Sequence, residues 1–394
     1  MPDVRSVTAG FWVGTGSRDE DSPLSGASHF LEHLLFKGTA SRSAREIAEA
    51  VDAVGGDLNA FTTKEFTAFY VRVLSDALDL GLDILCDIIS APAFRPDEVE
   101  AERQVILEEI LLREDEPADL VHEVLCDALF PDHPLGREVL GLEETVKAME
   151  TGAIRDFFAH HYRPANMVFA AAGDLDHDQV VAGLVERLGE GAGGAAPERE
   201  RPSRPPRSIA VVRRQTEQAH VAIGLPAPDR HAPQRWALAV LNHALGGGLS
   251  SRLFQEIRER RGLAYSVYSY RTAYDDTGAL VVYAGTSPER AAEVVDLIGI
   301  ELSRMAETGL TPRELSVARG HLRGDLALSL EDSAARMSRI GRSLLLHSEV
   351  LAVEEIAARI ESVTLDQVGE IAGAVLGAPR TLAVVGPFDQ SDFT

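Results

Sequence analysis

One stretch governs how the rest of the chain can fold. GAGGAAPERERPSRPPR, residues 191–207, is rich in Gly, Pro and charge, has no apolar period, and reads as an exposed linker. It parts 394 residues into halves of similar length, and a chain this long suits two cores better than one. The halves also share an order of patterns. REIAEAVDAVGGDLNAFT (45–62) runs from an amphipathic helix through glycines into an alternating strand, and RLFQEIRERRGLAYSVYS (252–269) does the same, with Gly55 opposite Gly262. FRPDEVEAERQVILEEI (94–110) parallels LTPRELSVARGHLRGDL (310–326), with Pro96 opposite Pro312. Each proline opens a long helical pattern, where its missing N–H costs nothing. The expectation is a duplication: a domain over 1–190, the linker 191–207, and a homologous domain over 208–394.

Both halves mix strands with helices. VTAGFWVGTG, FTAFYVRV and NMVFAAAGDL read as strands in the first half, and HVAIGLPA and GALVVYAGT in the second. The segment after Arg95 reads as two helices broken near Pro117. Short strand-to-strand connections, as in DLNAFTTKEFTAFYVRV, favour antiparallel pairing. The fold class expected is therefore α+β, two homologous domains, each a mainly antiparallel sheet with packed helices.

Composition removes several function classes. A formal charge of −24 argues against a nucleic-acid partner. Apolar runs such as FAAAG at 169–173 fall far short of a bilayer, and the first twenty residues lack the basic start and apolar stretch of a secretory signal. A cytoplasmic location with no membrane partner is expected. Cys86 and Cys126 are the only cysteines, too few and too far apart for a disulfide scaffold or a thiolate zinc site. Any metal must be held by nitrogen and oxygen.

GASHFLEHLLFKGT, residues 26–39, carries the chemistry. His29 and His33 lie four apart in a helical pattern, so both imidazoles project from one face and can grip one ion. Glu32 falls on the same side, where a carboxylate can take a proton from a metal-bound water. Chance produces an HxxEH string in a chain of this length roughly a few times in a hundred, so a third ligand is required. EAERQVILEEILLRE (100–114) offers one. Glu102 and Glu109 are seven apart, nearly the same helical angle, beside an apolar stripe of Val105, Ile106 and Ile110. Carboxylates next to a buried stripe need a partner, whereas Glu100, Glu108 and Glu114 read as a solvated face.

With HFLEH and this glutamate pair, the chain resembles the pitrilysin/insulinase (M16) family of zinc metallopeptidases, the inverzincins, whose HxxEH reverses the commoner HExxH. The family's third ligand follows the second histidine by about 76 residues, a spacing that lands on Glu109. A further family glutamate, seven positions earlier, matches Glu102 and supports the site from behind. The resemblance implies one zinc ion per chain on His29, His33 and Glu109, with Glu32 as general base in peptide-bond hydrolysis. It implies that Asn59, Ala60 and Phe61, in GGDLNAFTTKEFTAFY, belong to an edge strand on which a substrate backbone pairs. It also implies that Arg258 and Tyr265, in GGGLSSRLFQEIRERRGLAYSV, steady the tetrahedral intermediate. Taken from the residues alone, Arg258 is a helix-surface charge.

Length and layout resemble the half-length branch that includes mitochondrial processing peptidase subunits and bacterial relatives. That branch implies a homodimeric clamshell around unfolded peptide, in which Arg258 and Tyr265 come from the partner subunit. Relatives begin with a strand ahead of the segment matching MPDVRSV. The rival expectation is a non-catalytic peptide-binding subunit, which would lack ligands that this chain retains. Of the remaining histidines, His160 and His161 adjoin and cannot share a helix face, His122 and His243 sit in apolar helices as core or boundary residues, and His133, His177, His220, His231, His321 and His347 show no ligand spacing.

Overall fold

A computed structural model describes Met1, residues 4–189 and residues 197–393; the expected linker's residues 191–196 lie outside the described residues. Among the described residues there are two sheets. The first contains β1 (Ser6–Val13), β2 (Asp57–Thr62), β3 (Thr67–Leu74) and β4 (Met167–Gly173), in the order β2-β3-β1-β4 and antiparallel throughout. The second contains β5 (Ile209–Arg213), β6 (Ala219–Ala227), β7 (Ala264–Ala273), β8 (Gly278–Thr286) and β9 (Thr381–Gly386). Its order is β5-β9-β6-β8-β7, antiparallel except where β5 runs parallel to β9.

Read inward from β2 and from β7, the two orders are the same, with β5 as the second sheet's additional strand. The duplication seen in the sequence is therefore a duplication of topology. Its glycine landmarks have a backbone cause. Gly55 and Gly262 sit at φ +63° and +60°, with open space where a side chain would go. The left-handed turn into each edge strand, not crowding, requires glycine there. The paired prolines behave as expected too, opening the helices Pro96–Glu114 and Pro312–Ser329.

The packing units are not simple halves of the chain. One unit comprises Met1–Leu111, Arg137–Arg199 and Leu328–Val350; the other comprises Leu112–Gly136, Glu200–Ala327 and Leu351–Thr394. Two helices thus cross the division at 191–207. The helix Pro117–Leu129, from the first half, covers the second sheet, with Leu125 and Leu129 clustered against Ala222, Ala383 and Val385. The helix Ser333–His347, from the second half, covers the first sheet, where Met337 joins Trp12, Ala170 and Ala172. A glycine lies under each contact, and against the rigid Trp12 ring it is required. A Cβ on Gly341 would stand 2.5 Å from the Trp12 ring, and one on Gly224 would stand 2.7 Å from Leu129 Cδ1.

In the first unit the sheet's other face carries the helices that bear the site. Phe30, Leu31 and Leu34 of the helix Ala27–Leu34 are buried, as are Val99, Ile106 and Ile110 of the helix Pro96–Glu114. Among the described residues, no helix is long and apolar enough to cross a membrane.

Candidate metal centre

The helix Ala27–Leu34 buries its apolar stripe and leaves His29, Glu32 and His33 on the other side. Its start is fixed by a buried acid. Both oxygens of Glu20 accept backbone N–H bonds, from Gly26 at 2.8 Å and from Ser28 at 2.7 Å. Those are donors that a helix N-terminus otherwise leaves unsatisfied. Burial pushes the Glu20 carboxyl up to about 7, against the pull of those two N–H groups. Arg137 ties the same segment down by donating to the Glu20 carbonyl at 2.6 Å.

The second helix, Pro96–Glu114, is locked beside it by Arg103. That guanidinium is buried 5.4 Å from the Phe30 ring centroid and donates to the carbonyls of Val146 and of Met149. The residue just before Arg103, Glu102, and Glu109, six residues after it, point at the histidines. Glu109 Oε2 lies 3.6 Å from His29 Nε2 and 3.5 Å from His33 Nε2. These three donors lie within 4.8 Å of one another, and no other set among the described residues is so placed. A tetrahedral zinc ion with bonds near 2.05 Å needs neighbouring donors about 3.3 Å apart. The donor set therefore fits a zinc ion with little movement. Three protein donors also leave one corner free, the pattern of catalytic rather than structural sites.

Glu102 completes the arrangement from behind. It is 4% exposed and its Oε2 accepts from His33 Nδ1 at 3.0 Å. With Nδ1 carrying the proton, Nε2 keeps its lone pair for a metal. The expected apolar stripe needs one correction. Ile106 and Ile110 are buried, but Val105 is 43% exposed, and Val99 takes its place on the inner face.

Glu32 stands outside the donor set. Its Oε2 accepts from Thr62 Oγ1 at 2.6 Å, and Thr62 is the last residue of β2. Burial raises the Glu32 pKa above the usual carboxylate range, while the Thr62 hydrogen bond opposes that rise. β2 is the sheet edge expected to hold Asn59, Ala60 and Phe61. Thr63 N–H donates to the Phe66 carbonyl at 2.8 Å. Alternation along the ladder then turns the backbone groups of Leu58, Ala60 and Thr62 outward. Asn59 Oδ1 accepts the outward Ala60 N–H at 2.8 Å, so that edge group has a local partner.

Arg258 and Tyr265 belong to the second unit. Two irregularities bring them together. Arg258 lies on a π-helical turn, Phe254–Glu259, and Tyr265 falls at a register shift between Ala264 and Ser266, where β7 bulges. The guanidinium sits 4.6 Å from the Tyr265 ring centroid, and Tyr265 is 81% exposed. Sequence reasoning missed Thr62, Lys37, Glu20 and Arg103. The other histidines have ordinary surroundings: His122 bonds to Tyr270 Oη at 2.8 Å, and His243 stacks on His321.

Fold and donors together define a duplicated α+β chain with a candidate His₂Glu metal centre on one of its two units. Comparison with known proteins gives that class a family. The profile described as Insulinase (Peptidase family M16) matches residues 1–143, and that described as Peptidase M16 inactive domain matches residues 149–322. A Streptomyces coelicolor protein named as an uncharacterized zinc protease is 47% identical, over 98% of this chain and 86% of its own. A Bacillus subtilis protein of the same description is 38% identical, over 98% of this chain and 94% of its own. A protease from Helicobacter pylori has the same fold, with a TM-score of 0.90 at 22% identity, covering 97% of this chain and 94% of that one. The chain belongs to the M16 peptidase family.

Proposed function

We propose that this chain is a zinc metalloendopeptidase acting on unfolded peptides or precursor segments. The observation that carries the reading is the convergence of two Nε2 atoms on one Glu109 oxygen, at 3.5 and 3.6 Å, with Glu32 beside them but uninvolved in the donor set. A zinc ion, one per chain, would supply Lewis acidity to a water and to the scissile carbonyl. The chain's own residues supply the rest. Thr62 holds one Glu32 oxygen, leaving the other to take a proton from the attacking water and pass it to the departing amine. A peptide backbone adds to the open edge of β2 through the outward groups of Leu58, Ala60 and Thr62, with Asn59 swinging off the Ala60 N–H. Because β2 ends at Thr62, a strand docked there runs to the base.

Arg258 and Tyr265, prearranged by their ring contact, are donors for the oxyanion of the tetrahedral intermediate. We assign them to the site of a second copy in a homodimeric clamshell. The names of the Streptomyces and Bacillus relatives support the zinc-protease reading. The test is hydrolysis of a mixed pool of unfolded peptides by zinc-loaded protein, run beside Glu32→Gln. The variant is expected to keep its metal and lose nearly all cleavage. Equal cleavage by both would reject Glu32 as base, and zinc binding with no cleavage by either would favour a peptide-binding scaffold.

A further inference from the structure

Behind the zinc ligands lies a second connection that the reading above does not use. After Leu34 the helix end tightens, with Phe36 N–H donating to the His33 carbonyl at 3.2 Å and Lys37 N–H to the Leu34 carbonyl at 3.1 Å. Gly38, at φ +108°, then turns the chain away. Lys37 is left beside the buried end of the glutamate helix, its Nζ 2.6 Å from Glu102 Oε1. The other oxygen of that carboxylate accepts from His33 Nδ1 at 3.0 Å. A line of contacts thus runs from a partly exposed ammonium, through a carboxylate that is 4% exposed, to a metal ligand.

We propose that Lys37 is a positioning residue of the metal centre, acting through Glu102. A carboxylate is a two-oxygen rotor. Held at one oxygen only, it can tilt out of the imidazole plane or offer either oxygen to the histidine. Lys37 removes that freedom by engaging Oε1, which leaves Oε2 for His33 Nδ1 in one orientation. His33 is then fixed with Nε2 toward Glu109, the geometry a zinc ion needs. Lys37 also gives a nearly buried carboxylate a full cationic partner, without which burying that charge is costly.

This inference rests on the zinc reading, and its test separates the two. Zinc affinity is measured by competition with a chromophoric chelator for the wild type, Lys37→Met, Glu102→Gln and the double variant. Removing a partner behind a metal ligand typically costs about 10–100-fold in affinity. Lys37 acts one bond further out, so Lys37→Met is expected to weaken zinc binding about 10-fold. In the Glu102→Gln background the same change should cost less than about 2-fold, because residues in one network are not additive. Lys37→Arg should recover most of the loss, and the visible spectrum of the cobalt-loaded protein should change in Lys37→Met but not in Lys147→Met, whose lysine pairs with Glu143 at the surface. Unchanged affinity in Lys37→Met, or an equal loss in both backgrounds, overturns the proposal. A wild type that binds no zinc overturns the metal reading itself, and the proposal with it. The double variant lacks both charges of the pair, so it remains informative if Lys37→Met alone folds poorly.

Discussion

Gly341 offers a sharp check on the exchange of helices. It lies in the helix Ser333–His347, and a Cβ built there would stand 2.5 Å from Trp12 Cδ2 and Cε3 and 2.8 Å from Cζ3. Ordinary carbon contacts begin near 3.5 Å, so helix and indole must part by about an ångström. Trp12 has nowhere to go. It is fully buried, clustered with Phe66, Ala68, Ala170, Ala172 and Met337. Overpacking of this kind costs about 3 kcal/mol. Alanine returns about 1 kcal/mol through its better helix propensity. The net expectation for Gly341→Ala is a loss of about 2 kcal/mol.

The comparison that isolates the clash is Gly320→Ala. Gly320 lies in the helix Pro312–Ser329 and would place its Cβ in open space. The same substitution there should stabilise by up to about 1 kcal/mol. Urea denaturation followed by circular dichroism reads both. Adding Trp12→Phe shrinks the ring under the new methyl, so the Trp12→Phe, Gly341→Ala pair should lose less than the sum of its single changes. If Gly341→Ala proves as stable as the wild type, or the double variant is simply additive, helix Ser333–His347 does not lie on Trp12 as described.

Two further outcomes follow from the site. Thr62→Val keeps the shape of β2 but removes the hydroxyl that holds Glu32 Oε2 at 2.6 Å; a hydrogen bond to a charged group of about 1.5 kcal/mol predicts roughly a tenfold fall in kcat. That hydroxyl lowers the Glu32 pKa, so its loss raises it, and the acidic limb of kcat against pH should move upward because the base must be deprotonated to act. A kcat profile that does not move separates Thr62 from the base. For the dimer, mixing inactive Glu32→Gln protein with inactive Arg258→Ala protein should restore about a quarter of wild-type activity. Half the dimers are then mixed and one site in each is whole. No recovery after subunit exchange would place Arg258 in its own copy's site, and an active Arg258→Ala protein would place it outside catalysis.

What was legible in the sequence was whatever repeats locally. The spacing of His29 and His33, the seven-residue interval of Glu102 and Glu109, and the glycines and prolines at matched places all follow from one helical period or one turn. The helix exchange left no such trace. A Gly- and Pro-rich segment marks where the backbone is free of regular structure, not which sheet a distant helix will cover. Arg258 reads as a surface charge because neither the π turn at Phe254–Glu259 nor the bulge at Tyr265 has a sequence period. Thr62, Glu20 and Lys37 act through side-chain contacts to residues far along the chain or around a helix end, and polar pairs carry no periodic signal.

Val105 is the instructive error. Val105 and Ile106 are adjacent and so about 100° apart on a helix, and both cannot face the same core. The inner face is instead Val99, Glu102, Ile106 and Ile110, at steps of three and four, with Glu102 alone among them charged. That pattern is present in the sequence itself. An acid at a core position of an otherwise apolar stripe demands a partner in the protein, because desolvating it alone costs more than the stripe gains. The partners turn out to be His33, of the candidate donor set, and a lysine four residues after it. The same logic distinguishes Glu109, which sits at the rim of that face where two imidazole nitrogens converge, from Glu108, which faces solvent and meets neither. Burial singles out Glu102, while Glu109, its side chain 37% exposed, is set apart from Glu108 by the two imidazole nitrogens it faces.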